Sequence, residues 1–357
     1  MKVYIRFITS IYFKSLLFVF LIMLSLVFIL NLLSELEFFK DIEISATFTF
    51  LLSLLNSPSM LFEMSPFILL LTIQLFFIKL FEHKEIDIFK YSGLKNSSIL
   101  VILSIISFLV GIFSVTIFYN FSSNFKNIYL ELKSNYVIDG KYLAVVTKNG
   151  LWIKDKIDNK IIITNSSIIS ENYIIDNFIT EFDENFNVLR NIKSKKIDIS
   201  KKKWNILDAR IYDNNTYVNL SNLELNTNFD LKRVQTLFSN LSALNLYELY
   251  ELRKNYKKLN YSITEIDLHV LKLVSHPLYL LLISIFSALI MFKIKQVKSS
   301  TFKITIGLFF SVIIYYINNF SYVLGGTEKI TLIFSVLIPL VILLTINSLM
   351  IYKINDK

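Results

Sequence analysis

The stretch Tyr142-Leu-Ala-Val-Val-Thr147-Lys-Asn-Gly150-Leu-Trp-Ile-Lys-Asp-Lys156 decides how this chain reads. Two β-rich runs, Tyr142–Thr147 and Leu151–Lys156, flank Lys148-Asn149-Gly150. Asn-Gly between such runs is a hairpin signal, because both residues tolerate positive φ. Further strand-like runs follow at Lys160–Thr164, Tyr173–Phe182, Asn187–Ser194, Lys196–Ile199, Trp204–Tyr212 and Thr216–Leu220. Breaks at Asp158-Asn159, Asp183-Glu184-Asn185 and Asp213-Asn214-Asn215 separate several of them. Short strands at this spacing predict an all-β sandwich, jelly roll or open barrel. From about Leu231 the pattern turns helical, with Leu246, Leu249, Tyr250 and Arg253 on one face.

Outward from this insert the chain becomes apolar. Spans are predicted at 13–33, 58–80 and 97–120 before it, and at 268–292, 302–324 and 331–352 after it. About 20 apolar residues cross a bilayer. An apolar fraction of 54% with only 18% charged residues agrees, as does a mean hydropathy of +0.54. The fold class is a polytopic α-helical membrane protein of six transmembrane helices with an inserted all-β, jelly-roll-like domain. The expected boundaries are 1–124, 125–262 and 263–357. The first span is longer than the ~7–15 residues of a signal h-region and no small-x-small site follows, so it reads as a retained anchor. Residues 41–55 read as an interfacial helix leading to Pro58. Pro66 and Pro339 lie inside spans 2 and 6.

A net charge of +9 raises nucleic acid as a partner, but the positions of the charges exclude it. Lys2, Arg6 and Lys14 start the chain; Lys79, Lys84, Lys90 and Lys95 surround the 2–3 link; Lys293, Lys295, Lys298 and Lys303 surround the 4–5 link; Lys353 and Lys357 end it. The alternate links are poor in base, and Ser34–Ser57 sets Lys40 against Glu35, Glu37, Asp41 and Glu43. By the positive-inside rule both termini are cytoplasmic and the insert lies outside.

Enzyme motifs are missing. Gly140-Lys141 is the only Gly-Lys pair, and no glycine precedes it at Walker spacing, so ATP is not bound by that route. No G-x-S-x-G elbow occurs. The histidines His83, His269 and His276 lack metal-ligand spacing, and with no cysteine there is no thiolate site. No catalytic, metal or cofactor-binding residue is expected. Glu63 and Lys272 lie near span ends and no facing acid–base pair is apparent inside a span, which disfavours an ion-driven carrier.

The 2–3 link, Glu82-His83-Lys84-Glu85-Ile86-Asp87-Ile88-Phe89-Lys90-Tyr91-Ser92-Gly93-Leu94-Lys95, is the richest segment. Ile86, Phe89 and Lys90 share a helical face, and Gly93 is a natural C′ stop. A short surface helix with an apolar tip suits protein docking; anchoring in headgroups is the equal alternative.

These features resemble the LptF/LptG (YjgP/YjgQ) permeases of lipopolysaccharide export over nearly the whole chain. The resemblance rests on the three-insert-three layout and on Glu85–Lys95, which is similar to an E-L-x-x-x-R-x-x-G stretch with Ile86 and Lys90 substituted. It also rests on Gly150-Leu151-Trp152-Ile153-Lys154-Asp155, on Leu268-His269 with Pro277-Leu278, and on Leu324-Gly325-Gly326 with Pro339. The runs Glu35-Leu36-Glu37-Phe38-Phe39 and Leu324-Gly325-Gly326 look more like the G-type. The resemblance implies a non-catalytic subunit of an ABC transporter in the bacterial inner membrane. It pairs with an LptF-type permease (an LptG-type if this chain is the F subunit) and a dimer of the ATPase LptB, which uses ATP and magnesium. LptC and the LptA bridge receive the lipid. Glu85, Ile86, Phe89, Lys90, Ser92 and Gly93 would be the ATPase-coupling contacts. Phe28, Asn31, Lys40, Tyr315, Asn318, Asn319, Trp152 and Trp204 would lie on the lipid path, the spans around Leu16–Leu33 and Phe302–Leu324 forming the gate. Tyr142, Val145, Trp152, Ile162 and Trp204 would line the β domain or form its ordinary core. A membrane-anchored scaffold or sensor, and a secondary lipid carrier, are the alternatives. Extraction costs about 0.8 kcal/mol per exposed methylene, so an energy source is needed. The family carries bases near the outer end of the first span, where this chain has only Lys40 before Asp41. Lys40→Glu is expected to lower lipid extraction from reconstituted vesicles; unchanged extraction would remove Lys40 as the phosphate contact.

Overall fold

A proline sets the first departure from the predicted spans. Pro66 has no amide hydrogen and its ring would meet the carbonyl of Phe62, so one continuous helix over 58–80 is disfavoured. The chain breaks at Met64, which leaves Ala46–Glu63 and Ser65–Glu82 as separate helices. The computed structural model describes residues 3–40, 44–134, 143–147, 150–170, 172–213, 216–231, 240–258 and 262–355. Tyr142, Lys148-Asn149, Asp41 and Glu43 lie outside the described residues, as does the side chain of Val145. The chain divides into two compact units, Met1–Tyr129 with Asp267–Lys357, and Leu130–Ile266.

The helices are α1 (Val3–Phe38), α2 (Ala46–Glu63), α3 (Ser65–Glu82), α4 (Glu85–Tyr91), α5 (Asn96–Phe113), α6 (Tyr119–Ser134), α7 (Leu246–Lys258), α8 (Thr264–Lys293), α9 (Ser300–Gly326) and α10 (Leu332–Asn355). A π-turn at Ser114–Phe118 joins α5 to α6 without a break. Six helices among the described residues are long and apolar enough to cross a membrane: α1, α3, Asn96–Lys133, α8, α9 and Leu332–Tyr352 of α10. Their burial ranks them. The most apolar windows of α8 and α3 are 67% and 56% buried, against 22% for α1 and α9. The bundle is therefore built on α3 and α8, and Ser287 Oγ of α8 donates to the Leu70 carbonyl of α3 (3.0 Å). The segment expected at the interface, α2, packs along α1. Asn31 Nδ2 donates to Ser57 Oγ (3.2 Å), and Asn56 Nδ2 donates to Asn31 Oδ1 (3.1 Å).

The second unit is a single antiparallel sheet of seven strands in sequential order. They are β1 (Leu143–Thr147), β2 (Gly150–Ile157), β3 (Lys160–Ser170), β4 (Tyr173–Phe182), β5 (Val188–Asp198), β6 (Lys203–Asp213) and β7 (Thr216–Asn226). Alternation fills one face with isoleucine: Ile153, Ile162, Ile174, Ile179, Ile192, Ile197 and Ile206 form one core with Trp204 and Phe229. One sheet face can bury so much only if the sheet folds onto itself. Pairing lapses along a line across it, at Ser167, Asp176, Lys195, Asp208 and Ser221. Asp176 and Asp208 take φ of 53° and 50°, which short polar side chains tolerate. Side chains restore hydrogen bonds beside this crease. Ser166 Oγ donates to Asn177 Oδ1 (2.6 Å), Asn177 Nδ2 to the Ile174 carbonyl (2.9 Å), and Ser194 Oγ to the Leu207 carbonyl (2.6 Å). The fold is closed by the segment after β7. Thr227 Oγ1 and the Asn228 amide each donate to Asp155 Oδ2 of β2 (2.8 Å). In a flat sheet β2 and β7 would stand about 24 Å apart.

Trp204 is core, its Nε1 donating to the Phe229 carbonyl (2.8 Å), and Ile162 is core as well. Trp152 is corrected: it alternates with Leu151 and Ile153, so it stands on the opposite, exposed face and does not line the interior. In α7, Leu249 and Tyr256 are buried while Tyr250, expected beside Leu249, faces out. Gly150 has φ 108°, and a Cβ there would overlap the Ser166 carbonyl oxygen. Gly150→Ala is expected to destabilise the chain by about 1–3 kcal/mol, measured by denaturant unfolding followed through the emission of buried Trp204.

Candidate functional site

Helix α4 owes its existence to its two ends and one face. His83 and Lys84 close α3, and Lys84 turns the chain with φ 54° before α4 begins at Glu85. At the other end the Leu94 amide donates to the Phe89 carbonyl (2.9 Å) and the Gly93 amide to the Lys90 carbonyl (3.0 Å). With Gly93 at φ 77° this is a Schellman stop, as its sequence position implies. Ile86 is 1% exposed and sits in the bundle core with Ile8, Tyr12, Phe77, Leu80 and Ile99. Phe89 packs on the same core and meets Phe7 edge-on, with ring centres 5.9 Å apart.

That placement corrects the expected docking face. Ile86 and Phe89 seat the helix, and the residues turned outward are Ile88 (58% exposed) and Tyr91 (92%), with Lys90, Ser92 and Gly93 beside them. In a seven-residue helix with apolar residues at 86, 88, 89 and 91, the sequence alone does not say which pair goes inward. Ser92 Oγ donates to the Ile88 carbonyl (2.9 Å). Glu85 is half-buried, with Oε2 closed off from any hydrogen-bond donor among the described residues; burial pushes its carboxyl up against the pull of His83. Asp87 bonds Lys295 Nζ (2.5 Å), from the link between α8 and α9. That hydrogen bond holds the Asp87 carboxyl below its ordinary range. A lowered value means the bond is complete at neutral pH and lost only as pH falls below about 3.9. Ser300 Oγ at the head of α9 donates to Glu82 Oε1 (3.3 Å).

The expected lipid-path residues of the helical unit differ in exposure. Tyr315 and Asn319 are exposed on α9 beside Tyr316 and Phe320, whereas Asn318 turns its Oδ1 inward. Phe28 is half-buried against Phe50 (4.9 Å). Asn31, expected on the lipid path, is buried, and its amide is used between α1 and α2. Lys40 is exposed in the turn after α1. Glu35 is buried and accepts from the Tyr129 hydroxyl (2.7 Å). A facing charge pair, not apparent in the sequence, does exist: Lys126 Nζ lies 4.0 Å from Glu63. It was hidden because α6 carries the helix past the predicted end of span 3 at 120. His269 lies 2.9 Å from the Tyr119 hydroxyl and His276 lies 2.9 Å from Ser65 Oγ. Among the described residues no group of three or more acids or histidines could hold a metal ion.

Six helices long and apolar enough to cross a membrane, with a folded β domain inserted between the third and the fourth in sequence, define a multi-pass membrane protein. Comparison with family profiles makes this specific. The chain belongs to the lipopolysaccharide export system permease family LptF/LptG, which matches residues 6–353 and leaves the two subtypes undivided. Comparison with curated proteins finds no match. Ile86→Ala is expected to loosen α4 by about 2–5 kcal/mol, read as faster hydrogen exchange over Glu85–Tyr91, while Tyr91→Ala leaves that exchange unchanged.

Proposed function

We infer that this chain is one permease subunit of an ABC transporter that lifts lipopolysaccharide from the inner membrane and passes it toward the outer membrane. The second permease is of the complementary type, and a dimeric ATPase (LptB in this family) docks on α4. ATP and magnesium belong to that ATPase. The β domain takes the acyl chains and hands them to LptC and the LptA bridge. The basic links support a cytoplasmic α4, cytoplasmic termini and a periplasmic β domain.

The observation that carries the reading is the construction of α4. It is seated by Ile86 and Phe89, it presents Ile88 and Tyr91, and it is tied to the α8–α9 link by Asp87. An exposed apolar pair on an anchored helix is suited to a groove on a partner, and the tie connects that groove to a membrane helix. The β domain supports the second half of the reading. The inner face continues onto β7 as Val218 and Leu220, paired with Ile211 and Ala209, and there it is exposed. Acyl chains can meet it without crossing a polar rim.

The test is co-purification. The chain should bring down a second six-span protein and an ATPase, and Ile88→Glu with Tyr91→Ala should lose the ATPase while keeping the permease partner. Gly93→Pro and Glu85→Arg should weaken recruitment by distorting the helix. ATPase recruitment intact in all these variants would sink the docking assignment, and a chain with no ATPase partner would be a scaffold.

A further inference from the structure

The outer face of the β domain departs from what its inner face leads one to expect. A sheet with one buried face ordinarily turns polar side chains to water on the other, yet Trp152, Phe178, Tyr212 and Tyr217 are exposed there. Register brings them together. Trp152 pairs with Asn165, Asn165 with Phe178, Phe178 with Lys193, Lys193 with Arg210, and Arg210 with Asn219. Directly paired residues share a face, so these side chains form one row from β2 to β7, with a step of about 5 Å per strand. The row runs parallel to the crease, two residues from it on each strand from β3 to β7. Two residues farther on lies a second row of the same face: Lys154, Ile163, Thr180, Asn191, Tyr212 and Tyr217.

The polar groups of the first row are set in place with capacity to spare. Arg210 Nε donates to Asn219 Oδ1 (3.2 Å), and the guanidinium lies over the Tyr217 ring (5.8 Å). Its terminal nitrogens keep their donors. Asn165 Nδ2 donates to the Leu151 carbonyl (3.3 Å), which leaves its oxygen to accept. Lys193 is exposed and has no ion pair among the described residues. The two rows hold Lys154, Lys193 and Arg210 and no carboxylate. The acids beside the first row, Asp176 and Asp208, stand at the crease with Lys195.

Rings therefore alternate with amides, and two cations lie side by side. A bilayer surface would use the rings and the cations and leave the amides idle. A sugar uses all three. Its apolar ring faces lie on aromatic rings, its hydroxyls meet amides, and a phosphate or carboxylate on it pairs with lysine and arginine. The row ends on β7, the last strand of the sheet. There the two faces alternate residue by residue: Val218 and Leu220 belong to the inner face, Tyr217 and Asn219 to the outer one, and all four are exposed. We propose that this row is a binding site for an anionic oligosaccharide bearing phosphate or carboxylate. An amphiphile lying across β7 sets its acyl chains on Val218 and Leu220 and its sugar head on Tyr217, Asn219, Arg210 and Lys193. The proposal rests on the export reading for the identity of that amphiphile; the sugar site itself stands on the row.

Trp152 is the exposed one of two tryptophans, the other being buried Trp204, so acrylamide quenching follows the row. The full chain is placed in phosphatidylcholine nanodiscs and titrated with deacylated lipopolysaccharide, which keeps sugar and phosphate and has no chains. That probe should shield Trp152, and a neutral dextran oligosaccharide should bind at least about tenfold more weakly. Lys193→Ala with Arg210→Ala should weaken the acidic probe at least about tenfold. Lys201→Ala with Lys202→Ala, exposed bases off the row, should leave its affinity unchanged. The site is overturned by absent shielding, by equal affinity for the neutral sugar, or by equal effects of the two lysine-containing pairs. It is also overturned if phosphatidylglycerol added to the discs shields Trp152 without sugar, which would make the face a membrane contact. If a variant fails to fold, the comparison of acidic with neutral sugar decides alone. Sugar bound by a chain that recruits no ATPase sinks the export reading and leaves the site; ATPase recruited with no sugar bound does the reverse.

Discussion

The bundle depends on a few polar side chains that find main-chain carbonyls inside an apolar interior. Lipid is as apolar as leucine, so burying leucine between helices gains little, and association rests on close packing and on hydrogen bonds across helices. Ser287 to Leu70 ties the two innermost helices, α3 and α8, and Gln74 and Asn347 attach α9 and α10 to them. The surrounding aliphatic residues fill space around these points without selecting them. The same logic explains why α1, bonded through Asn31 to α2, keeps most of its own surface open.

Much of the architecture was legible in the sequence, for identifiable reasons. Twenty-residue apolar runs have few alternatives to a spanning helix, and Asn-Gly between β-branched runs has few alternatives to a hairpin. The Gly93 stop was legible because only a left-handed residue closes a helix in that way. What failed was facing. Trp152 and Tyr250 sit next to core residues in sequence and point away from them in space. Ile86 and Phe89 were expected outside because the apolar residues of so short a helix occur in two pairs. Choosing between the pairs needs the bundle beneath, which is a tertiary fact. The Glu63–Lys126 pair was hidden for a different reason: the π-turn lets one helix run on past the point where hydropathy falls.

The β domain illustrates a similar limit. Its strands were readable, yet the crease was not, because it depends on lapses that coincide across five strands. Asp176 and Asp208 look like ordinary polar residues of an outer face. In the fold they are the bends that let a sequential meander close on a single isoleucine core, with Asp155 receiving the end of the chain that crosses over it.

Helix α4 is two turns long, below the length at which an isolated helix persists in water. It is held by Ile86 in a core drawn from α1, α3, α5 and α8, which span both halves of the sequence. Those halves are separated in sequence by the entire β domain, so the core closes only after α8 has been made. Ile88 and Tyr91 are consequently displayed together only by a completed subunit. On the docking proposed for α4, that surface would double as a certificate of assembly, since a chain without the bundle core has no seated helix to present.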